Sequence, residues 1–483
     1  MLPKGGVMAF YGRDDQLAQL AALWRRPTAS LVTCRGRRRI GKSTLIKHFA
    51  ESQDALLVKL EGLAPQPKMK NEDQLRAFGR QLAEQAHLPY VMPESWFDAF
   101  RLLSDALPSN RKTVVLIDEI SWMGRYDANF AGELKYAWDN RFHDRSDLIV
   151  ILCGSVSSWI DDNILSNTGF MGRIALDLIV RELPLCQCAR FWGAAKKRIS
   201  PREILDVLAV TGGVPRYLEE VDPALSADEN IKRMCFLPNG YLFRDFNDVF
   251  ASVFGANAPV KRKILTALAD TPKDSQELAE YVGVARNGRL SSVMDELEMA
   301  GFVSRNAGLN PATGKRARQD RYRLRDNYTR FYMKYIEPHN REIVDGTFVF
   351  ASAESLSGWD TLLGLQFENL VLNNVTALLP LLHLDGRQIL SAAPYRQHKG
   401  VEAGGCQIDL LIQTRKSVCV VEIKRQSEIG EEVEARVAEK IRRLKVRNGV
   451  SVRTALVYDG QLSKRVATSG FFDALVPFGA LLT

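Results

Sequence analysis

The segment from Gly36 to Ser43 constrains the fold of this chain more than any other. It reads GRRRIGKS and fits the pattern G-x-x-x-x-G-K-[ST], in which the backbone N–H groups of a loop and of the following helix surround phosphate oxygens. The apolar residues 30–34 predict a short buried strand before the loop, and residues 43–50 have the spacing of an amphipathic helix after it. The sequence therefore predicts a strand, a loop and a helix that bind the phosphates of ATP or GTP.

Each residue type in this loop suits one part of a nucleotide. We expect Lys42 to reach the β- and γ-phosphates as a catalytic cation, and Ser43 to hold Mg²⁺ through its hydroxyl. The residues of the loop and its flank that we expect to contact the nucleotide are Gly36, Arg38, Arg39, Ile40, Gly41, Lys42, Ser43 and Thr44.

A second apolar run, residues 113–117, ends in the acidic pair Asp118 and Glu119. In an open parallel sheet, ligands bind at the carboxyl ends of the strands, so these acids are expected beside the phosphate loop. Asp118 is predicted to orient Mg²⁺ or its water, and Glu119 to act as the general base for the attacking water. The alternative is a pair of solvated acids that merely cap a strand, and the upstream loop favours the functional reading.

Two further residues could meet the terminal phosphate. Ser155 follows a third apolar run, residues 148–153, and is predicted to sense the γ-phosphate; the alternative is a serine that caps the next helix. Arg173 is predicted to meet phosphoryl charge, in cis or from a neighbouring subunit, and the alternative is an ordinary solvated arginine.

Residues 8 to about 225 resemble the archaeal-type P-loop ATPases, which are related to AAA+ and STAND signalling ATPases. Besides the phosphate loop and the Asp-Glu pair, the likeness rests on FYGRDDQL at residues 10–17, RELPL at residues 181–185 and GGVP at residues 212–215. It implies ATP as the nucleotide, with Gly12 and Arg13 against the adenine ring. It also implies that the element ending in Pro215 senses the nucleotide, and that the protein self-associates.

Length and composition indicate a multidomain chain. Its 483 residues exceed the usual limit of one hydrophobic core, about 250–300 residues, so two or three domains are expected. No apolar run approaches the roughly 18 residues of a membrane-spanning helix, and a signal sequence is not evident, so we expect a cytoplasmic protein without a membrane partner. The seven cysteines are scattered and are expected to be reduced thiols.

A winged helix is predicted after the ATPase region. Residues 260–269, 275–281 and 287–300 have the pattern of three helices, with Ser275 as an N-cap, and residues 301–305 and 319–324 alternate like a hairpin that carries basic side chains. In a DNA-binding winged helix, the third helix enters the major groove. We therefore expect DNA contacts from Asn287, Arg289 and Ser292 to bases and from Arg316, Arg318 and Arg321 to phosphates. The alternative is a winged helix that serves as an internal lid on the ATPase.

The last 130 residues predict a second site. A hairpin of residues 408–412 and 418–424 would bring Asp409 near Glu422, and a divalent cation would relieve the repulsion between two carboxylates that nothing else neutralises. Lys424 would point to the same place. These residues resemble the PD-(D/E)XK nuclease superfamily, which implies that Asp409 and Glu422 bind Mg²⁺, that Lys424 assists phosphodiester hydrolysis, and that Glu368 completes the metal site. The alternative is a retained fold without activity.

The predicted architecture is an α/β multidomain protein. It comprises a P-loop AAA+-like ATPase with a parallel sheet at residues 8–225, linker helices and a winged helix at 226–333, a connector at 334–359 and a PD-(D/E)XK-like α/β domain at 360–483. The predicted function is an ATPase that binds DNA and controls a Mg²⁺-dependent endonuclease. The alternative is a STAND-like, ATP-dependent signalling or scaffold protein whose nuclease fold is silent.

Overall fold

A computed structural model describes residues 10–155, 158–246, 258–286, 288–316, 320–384, 389–397 and 405–483. The chain divides into two compact units, Met1–Arg181 and Glu182–Thr483. None of the helices within the described residues is long and apolar enough to cross a membrane. The boundary lies between residues 181 and 182. The short helices that begin at Leu185 therefore belong to the second unit, whereas the predicted ATPase region extended to residue 225.

The first unit is built on a five-stranded parallel sheet. Its strands are β1 (Ser30–Gly36), β2 (Leu56–Glu61), β3 (Thr113–Asp118), β4 (Leu148–Ser155) and β5 (Ile174–Ile179), in the order β2-β3-β4-β1-β5. Alternate residues of the central strands enter two different cores. Leu31, Val115 and Val150 lie in one, and Val32 and Val114 lie in the other. Both faces are therefore covered, which explains why these strands are continuous apolar runs.

Helices lie on both sides of this sheet. The helix Lys42–Ser52 follows β1 directly, and its Leu45, Ile46 and Phe49 enter the second of the two cores. The other helical segments of the unit are Asp14–Leu23, Asn71–Ala86, Trp96–Ala106, Ile120–Gly124, Phe130–Ala137, Trp138–Phe142, Ser158–Ile160, Asp161–Leu165 and Thr168–Phe170. The predicted strand-loop-helix order at residues 30–50 is confirmed.

The second unit begins with short helices and continues with three helices and a small antiparallel sheet. The helices Ala258–Asp270, Ser275–Val282 and Gly288–Met299 lie close to their predicted positions. The N-cap of the middle helix is Asp274, not the predicted Ser275, because the Asp274 carboxylate accepts the N–H groups of Gln276 and Glu277. The sheet comprises β6 (Lys273–Asp274), β7 (Val303–Asn306) and β8 (Arg321–Leu324), with β8 in the middle.

A second five-stranded sheet forms the C-terminal part of this unit. Its strands are β9 (Ile389–Gln397), β10 (Cys406–Thr414), β11 (Ser417–Ile429), β12 (Ser451–Leu462) and β13 (Ala474–Pro477), in the order β13-β12-β11-β10-β9. β9, β10 and β11 pair antiparallel, and β11, β12 and β13 pair parallel. The predicted β10–β11 hairpin is present, with Leu410 opposite Val421.

One apolar core runs through the whole second unit, from Leu183 to Leu482. It includes Ile336, Ile343 and Phe350 from the segment predicted to be a connector at 334–359, which is therefore packed. The remaining helical segments of the unit are Leu185–Cys188, Ala189–Lys197, Pro201–Thr211, Pro215–Leu218, Ala227–Cys235, Asn327–Phe331, Tyr332–Ile336, Asn340–Val344, Ala353–Ser355, Trp359–Asn373, Val375–Leu381, Glu432–Arg443, Lys464–Thr468 and Phe478–Leu482.

Candidate nucleotide site and C-terminal carboxylate site

Two glycines shape the loop between β1 and its helix. A Cβ added at Gly36 would lie 2.3 Å from the carbonyl oxygen of Val180, so a larger residue would push β1 away from the chain beside it. Gly41, the N-cap of the helix Lys42–Ser52, has φ +84°, a left-handed conformation that glycine adopts without strain. The loop therefore reaches the helix N-terminus in a sharp turn whose N–H groups are available to an anion.

The Lys42 side chain folds back onto the start of this loop. Its side chain is buried, and its ammonium group donates hydrogen bonds to the carbonyl oxygens of Gly36, at 2.9 Å, and Arg37, at 3.2 Å. Arg13 supports the loop from another side, because its guanidinium donates to the carbonyl oxygen of Ile40 at 3.0 Å. Gly12 and Arg13 both have positive φ, which turns the chain toward the loop; their predicted contact with adenine stays a prediction.

The Ser43 hydroxyl and the Asp118 carboxylate are in direct contact. Ser43 Oγ donates to Asp118 Oδ2 at 2.6 Å, which joins the start of the helix to the end of β3. Asp118 Oδ1 accepts the N–H of Glu119, and Lys59 Nζ lies 3.4 Å from Asp118 Oδ2. Burial lowers the pKa of Lys59, but its hydrogen bond to Glu61 and the charge of Asp118 outweigh burial and raise it.

Glu119 turns away from Asp118 although the two are adjacent in sequence. Its φ of +50° is left-handed, and its carboxylate lies 3.9 Å from the guanidinium of Arg38 in the phosphate loop. Arg38 also lies over the ring of Trp122, 5.1 Å from the ring centroid. The two acids therefore have different partners, Ser43 for Asp118 and Arg38 for Glu119.

Mg²⁺ fits the first of these positions. A hydroxyl and a carboxylate oxygen, 2.6 Å apart beside a phosphate loop, are the donors that this cation takes in nucleotide sites, where substrate phosphates and water complete the shell. The residues that would hold it are Ser43 and Asp118.

Four other predicted nucleotide contacts have different surroundings. Ser155 ends β4 with its backbone beside Gly36, and its side chain lies outside the described residues. Thr44 is exposed. Arg173 binds Asp139 with both ends of its guanidinium, at 2.6 and 2.9 Å, and this hydrogen bonding lowers the pKa of Asp139 to about 2. Pro215 begins a short helix of the second unit.

The C-terminal site contains a cation that sequence reasoning did not place there. Lys440, on the helix Glu432–Arg443, has its ammonium 2.5 Å from Glu422 and 3.7 Å from Asp409. Asp409 also accepts the N–H of Ile423 at 2.9 Å, so the β10–β11 hairpin does bring the two acids together. Burial, followed by the Glu422 charge, raises the pKa of Asp409 to about 7.

This arrangement does not fit a divalent cation. The metal prediction assumed that nothing neutralises Asp409 and Glu422, whereas the Lys440 ammonium balances one of their two charges. No group of three His, Cys, Asp or Glu side chains placed to hold a metal ion occurs in the described parts of the chain, so Glu368, Asp409 and Glu422 do not form one there. Glu368 is half-buried, and its partial burial raises its pKa. Lys424, half-buried on β11, makes no ion pair with a described residue.

The predicted DNA-binding residues are only partly available. Asn287 and Arg318 lie outside the described residues. Arg289 is exposed, and Arg316 is exposed but 3.1 Å from Asp320. Arg321 donates to the carbonyl oxygen of Pro272 and lies 3.1 Å from Glu277, so contact with DNA would require these bonds to break.

The loop after β7 is also in contact with the C-terminal sheet. Gln413, on β10, donates to the carbonyl oxygen of Leu309 at 2.6 Å. The N–H of Arg447 donates to the carbonyl oxygen of Pro311 at 3.2 Å. Residues 309 and 311 of this loop are thus packed within the second unit. Arg323, on β8, is buried, and Arg325, just after β8, is paired with Glu182.

The parallel sheet, the phosphate loop and the Ser43–Asp118 contact define the first unit as a P-loop nucleotide-binding domain. Residues 25–158 match a family model described as AAA domain, so this part of the chain is similar to AAA domains.

Relatives and solved structures extend beyond this domain. The uncharacterized protein MJECL04 of Methanocaldococcus jannaschii is 23% identical over 74% of this chain and 75% of its own length. The uncharacterized ATP-binding protein MJ0423 of the same organism is 40% identical over 10% of this chain and 81% of its own length. Among solved structures, the Walker-type ATPase PABY2304 of Pyrococcus abyssi has TM-score 0.46 and 17% identity, covering 67% of this chain and 95% of its own. The Aeropyrum pernix ORC2 protein has TM-score 0.45 and 13% identity, covering 71% and 96%. Both TM-scores are below 0.5, and neither likeness bears on function.

Proposed function

We propose that this protein is an ATP-hydrolysing switch whose first unit binds Mg²⁺-ATP and cleaves its terminal phosphate. The observation that carries the proposal is the 2.6 Å contact between Ser43 and Asp118, with Glu119 directed to a different partner. In this arrangement one carboxylate lies at the metal position, and the other lies apart from it, beside Arg38 of the phosphate loop.

The chain's own residues have distinct tasks in this reaction. The loop N–H groups bind the phosphates, and the Lys42 ammonium exchanges the carbonyl oxygens of Gly36 and Arg37 for phosphate oxygens. Glu119 accepts a proton from the attacking water, and Arg38 holds the Glu119 carboxylate at the loop. Ser43 and Asp118 would hold Mg²⁺, which would neutralise part of the phosphate charge.

Phosphate release from ATP tests this proposal. Glu119→Gln is expected to lower kcat at least 100-fold while ATP binding persists, because the amide keeps the shape but loses the base. Lys42→Ala is expected to abolish binding as well as turnover. Glu84→Gln, an exposed acid on the helix Asn71–Ala86, is the matched control. An unchanged kcat for Glu119→Gln would reject Glu119 as the base.

We further propose that the second unit binds DNA through a winged helix at residues 258–324. Three helices followed by a β7–β8 hairpin support this proposal, and so does the exposure of Arg289 and Ser292 near the start of the third helix. The nucleotide state of the first unit would control a C-terminal endonuclease whose residues are Asp409, Glu422 and Lys424. The Lys440 contact means that this endonuclease requires Lys440 to leave the two acids before a metal ion binds.

That same contact favours a second candidate, a STAND-like ATP-dependent scaffold that assembles with its own copies and never cuts DNA. A half-buried ammonium beside the two carboxylates balances one of their two charges without a metal.

Cleavage of plasmid DNA with Mg²⁺ or Mn²⁺, with and without ATP, separates the two candidates. Cleavage lost in Asp409→Ala would support the nuclease. Intact ATP hydrolysis without any cleavage, together with ATP-dependent assembly, would support the scaffold. Salt-dependent DNA binding weakened about tenfold by Arg289→Ala would support the winged-helix contact, with Arg76→Ala in the first unit as the control.

A further inference from the structure

A cavity of about 210 Å³ lies in the second unit, between the β7–β8 hairpin and β9. Three arginines contribute to its walls, namely Arg305, Arg323 and Arg325. The nucleotide chemistry of the first unit uses none of them, and neither does the Asp409–Glu422 pair. Three guanidinium groups around one small space repel each other unless anions accompany them.

Acidic side chains accompany two of the three arginines. Arg325 lies 2.8 Å from the carboxylate of Glu182. Arg305 is in ion pairs with Asp295 and, at 3.3 Å, with Glu298. The charges of these two arginines are therefore balanced by the protein itself.

Arg323 is different. It is 6% exposed, its guanidinium donates to the amide oxygens of Asn369 and, at 2.7 Å, of Asn373, and its Nε is buried without an acceptor. No carboxylate within the described ranges lies within 4.0 Å of it. Burial, followed by the charge of Arg325, lowers its pKa to about 9, so it remains charged at neutral pH. A buried charge that faces only neutral acceptors is costly.

The acids around Arg323 act on it only from a distance. Glu368 and Glu182 both stabilise its charge, but Glu182 is paired with Arg325 at 2.8 Å, and Glu368 also acts on the buried Arg330. Arg330 in turn donates to Gln366 and to the carbonyl oxygens of Ala269 and Leu324. Arg323 is therefore the arginine of the cavity that no carboxylate in the described residues contacts.

We propose that this cavity is a binding site for a phosphate group, either free inorganic phosphate or the terminal phosphate of a nucleic-acid strand. Arg323 supplies a charge that no carboxylate in the described residues contacts, and Ser304 and Asn306 are polar residues that also line the cavity. The volume is below the roughly 300–1,000 Å³ of sites that enclose drug-sized ligands, so the cavity takes the phosphate and excludes the rest of a nucleotide. A guanidinium N–H forms a charge-assisted hydrogen bond with a phosphate oxygen, and the Nε–H of Arg323 is the donor that lacks an acceptor.

Calorimetric titration of the full chain tests the proposal in a Lys42→Ala background, where the phosphate loop of the first unit no longer competes. Inorganic phosphate is titrated first, followed by a tetranucleotide with and without a 5′-phosphate. One binding event per chain is expected. If the tetranucleotide binds only when it carries a 5′-phosphate, the ligand is the terminal phosphate of a strand. If inorganic phosphate binds and neither oligonucleotide does, the ligand is the free ion.

Two cavity variants make the result specific. Arg323→Gln is expected to weaken phosphate binding at least tenfold. Ala393→Leu fills the cavity while keeping all three arginines, and it is also expected to weaken phosphate binding at least tenfold. It tests the proposal even if Arg323→Gln misfolds. Ala435→Leu, on an exposed face of the helix Glu432–Arg443, is the matched control and should bind as the parent does. Equal phosphate affinity in Ala393→Leu and Ala435→Leu, or no binding at all by the parent, would overturn the proposal.

Discussion

Replacing Lys440 by methionine should lower the free energy of unfolding of the second unit by more than most single changes at partly exposed positions do. The ammonium faces Glu422, whose side chain is 8% exposed, and Asp409, whose side chain is 15% exposed. Removing one partner from a buried ion pair costs about 3–5 kcal/mol. Lys440 is 22% exposed and the stranded acids can take up a proton, so we expect a loss of about 2–3 kcal/mol at pH 7.5.

The loss should depend on pH in a defined direction. The pKa of Asp409 in the folded protein, about 7, lies above the ordinary aspartate value of about 3.9. The folded state therefore binds this proton at a higher pH than the unfolded state, and the free energy of unfolding rises as pH falls from about 7 toward about 4. Without Lys440 the pKa of Asp409 rises further, so the difference between variant and parent is larger at pH 7.5 than at pH 5.5.

Denaturant unfolding followed by circular dichroism, at both pH values, measures these differences. The matched control is Arg436→Met on the same helix, which removes a surface ion pair with Glu432 at 3.8 Å and should cost less than about 0.5 kcal/mol. A Lys440→Met variant no less stable than Arg436→Met at pH 7.5, or equally destabilised at both pH values, would refute the charge balance inferred for this site.

Three further predictions concern other parts of the chain. Gly36→Ala should abolish ATP binding, measured with a fluorescent analogue, because its Cβ would lie 2.3 Å from the Val180 carbonyl oxygen. Lys59→Met should lower the Mg²⁺ concentration that half-saturates ATP hydrolysis by about fivefold, because Lys59 no longer competes for Asp118 at 3.4 Å. Asp206→Asn should raise the melting temperature at pH 7.5 but not at pH 4.5. Burial raises the pKa of Asp206 to about 6, so the folded protein holds an unfavourable charge at pH 7.5, which asparagine removes. At pH 4.5 the carboxyl group has already taken up a proton and the folded state has gained that stability, so asparagine changes little.

The phosphate loop could be predicted from sequence because its geometry is local. Eight consecutive residues specify a turn in which Gly36 must be small and Gly41 must accept a positive φ, and Asp118 follows a strand whose apolar run shows that it is central. Lys59 was missed because its contact with Asp118 depends on β2 pairing with β3, which no local pattern records.

The C-terminal site was predicted only in part for the same reason. The β10–β11 hairpin is local, so the proximity of Asp409 and Glu422 followed from sequence. Lys440 lies on a separate helix, and among the basic residues of that helix nothing marks the one that turns inward.

The burial of Arg323 could not be predicted, because basic residues that alternate along a strand are typical of a strand on the surface. β8 is instead the middle strand of its sheet, and Arg323 is covered by the helix Trp359–Asn373.

The continuous core from Leu183 to Leu482 decides how this protein can be dissected. A fragment beginning at residue 360 would keep the C-terminal sheet but lose the partners of the helix that covers it, since the Gln366 amide donates to the carbonyl oxygens of Ala209 and Asn327. An inactive fragment of that kind would report a broken core rather than a silent site. Residues 182–483 therefore form the fragment in which the C-terminal chemistry is testable. Recombination that keeps this core intact would have to transfer the same residues as one unit.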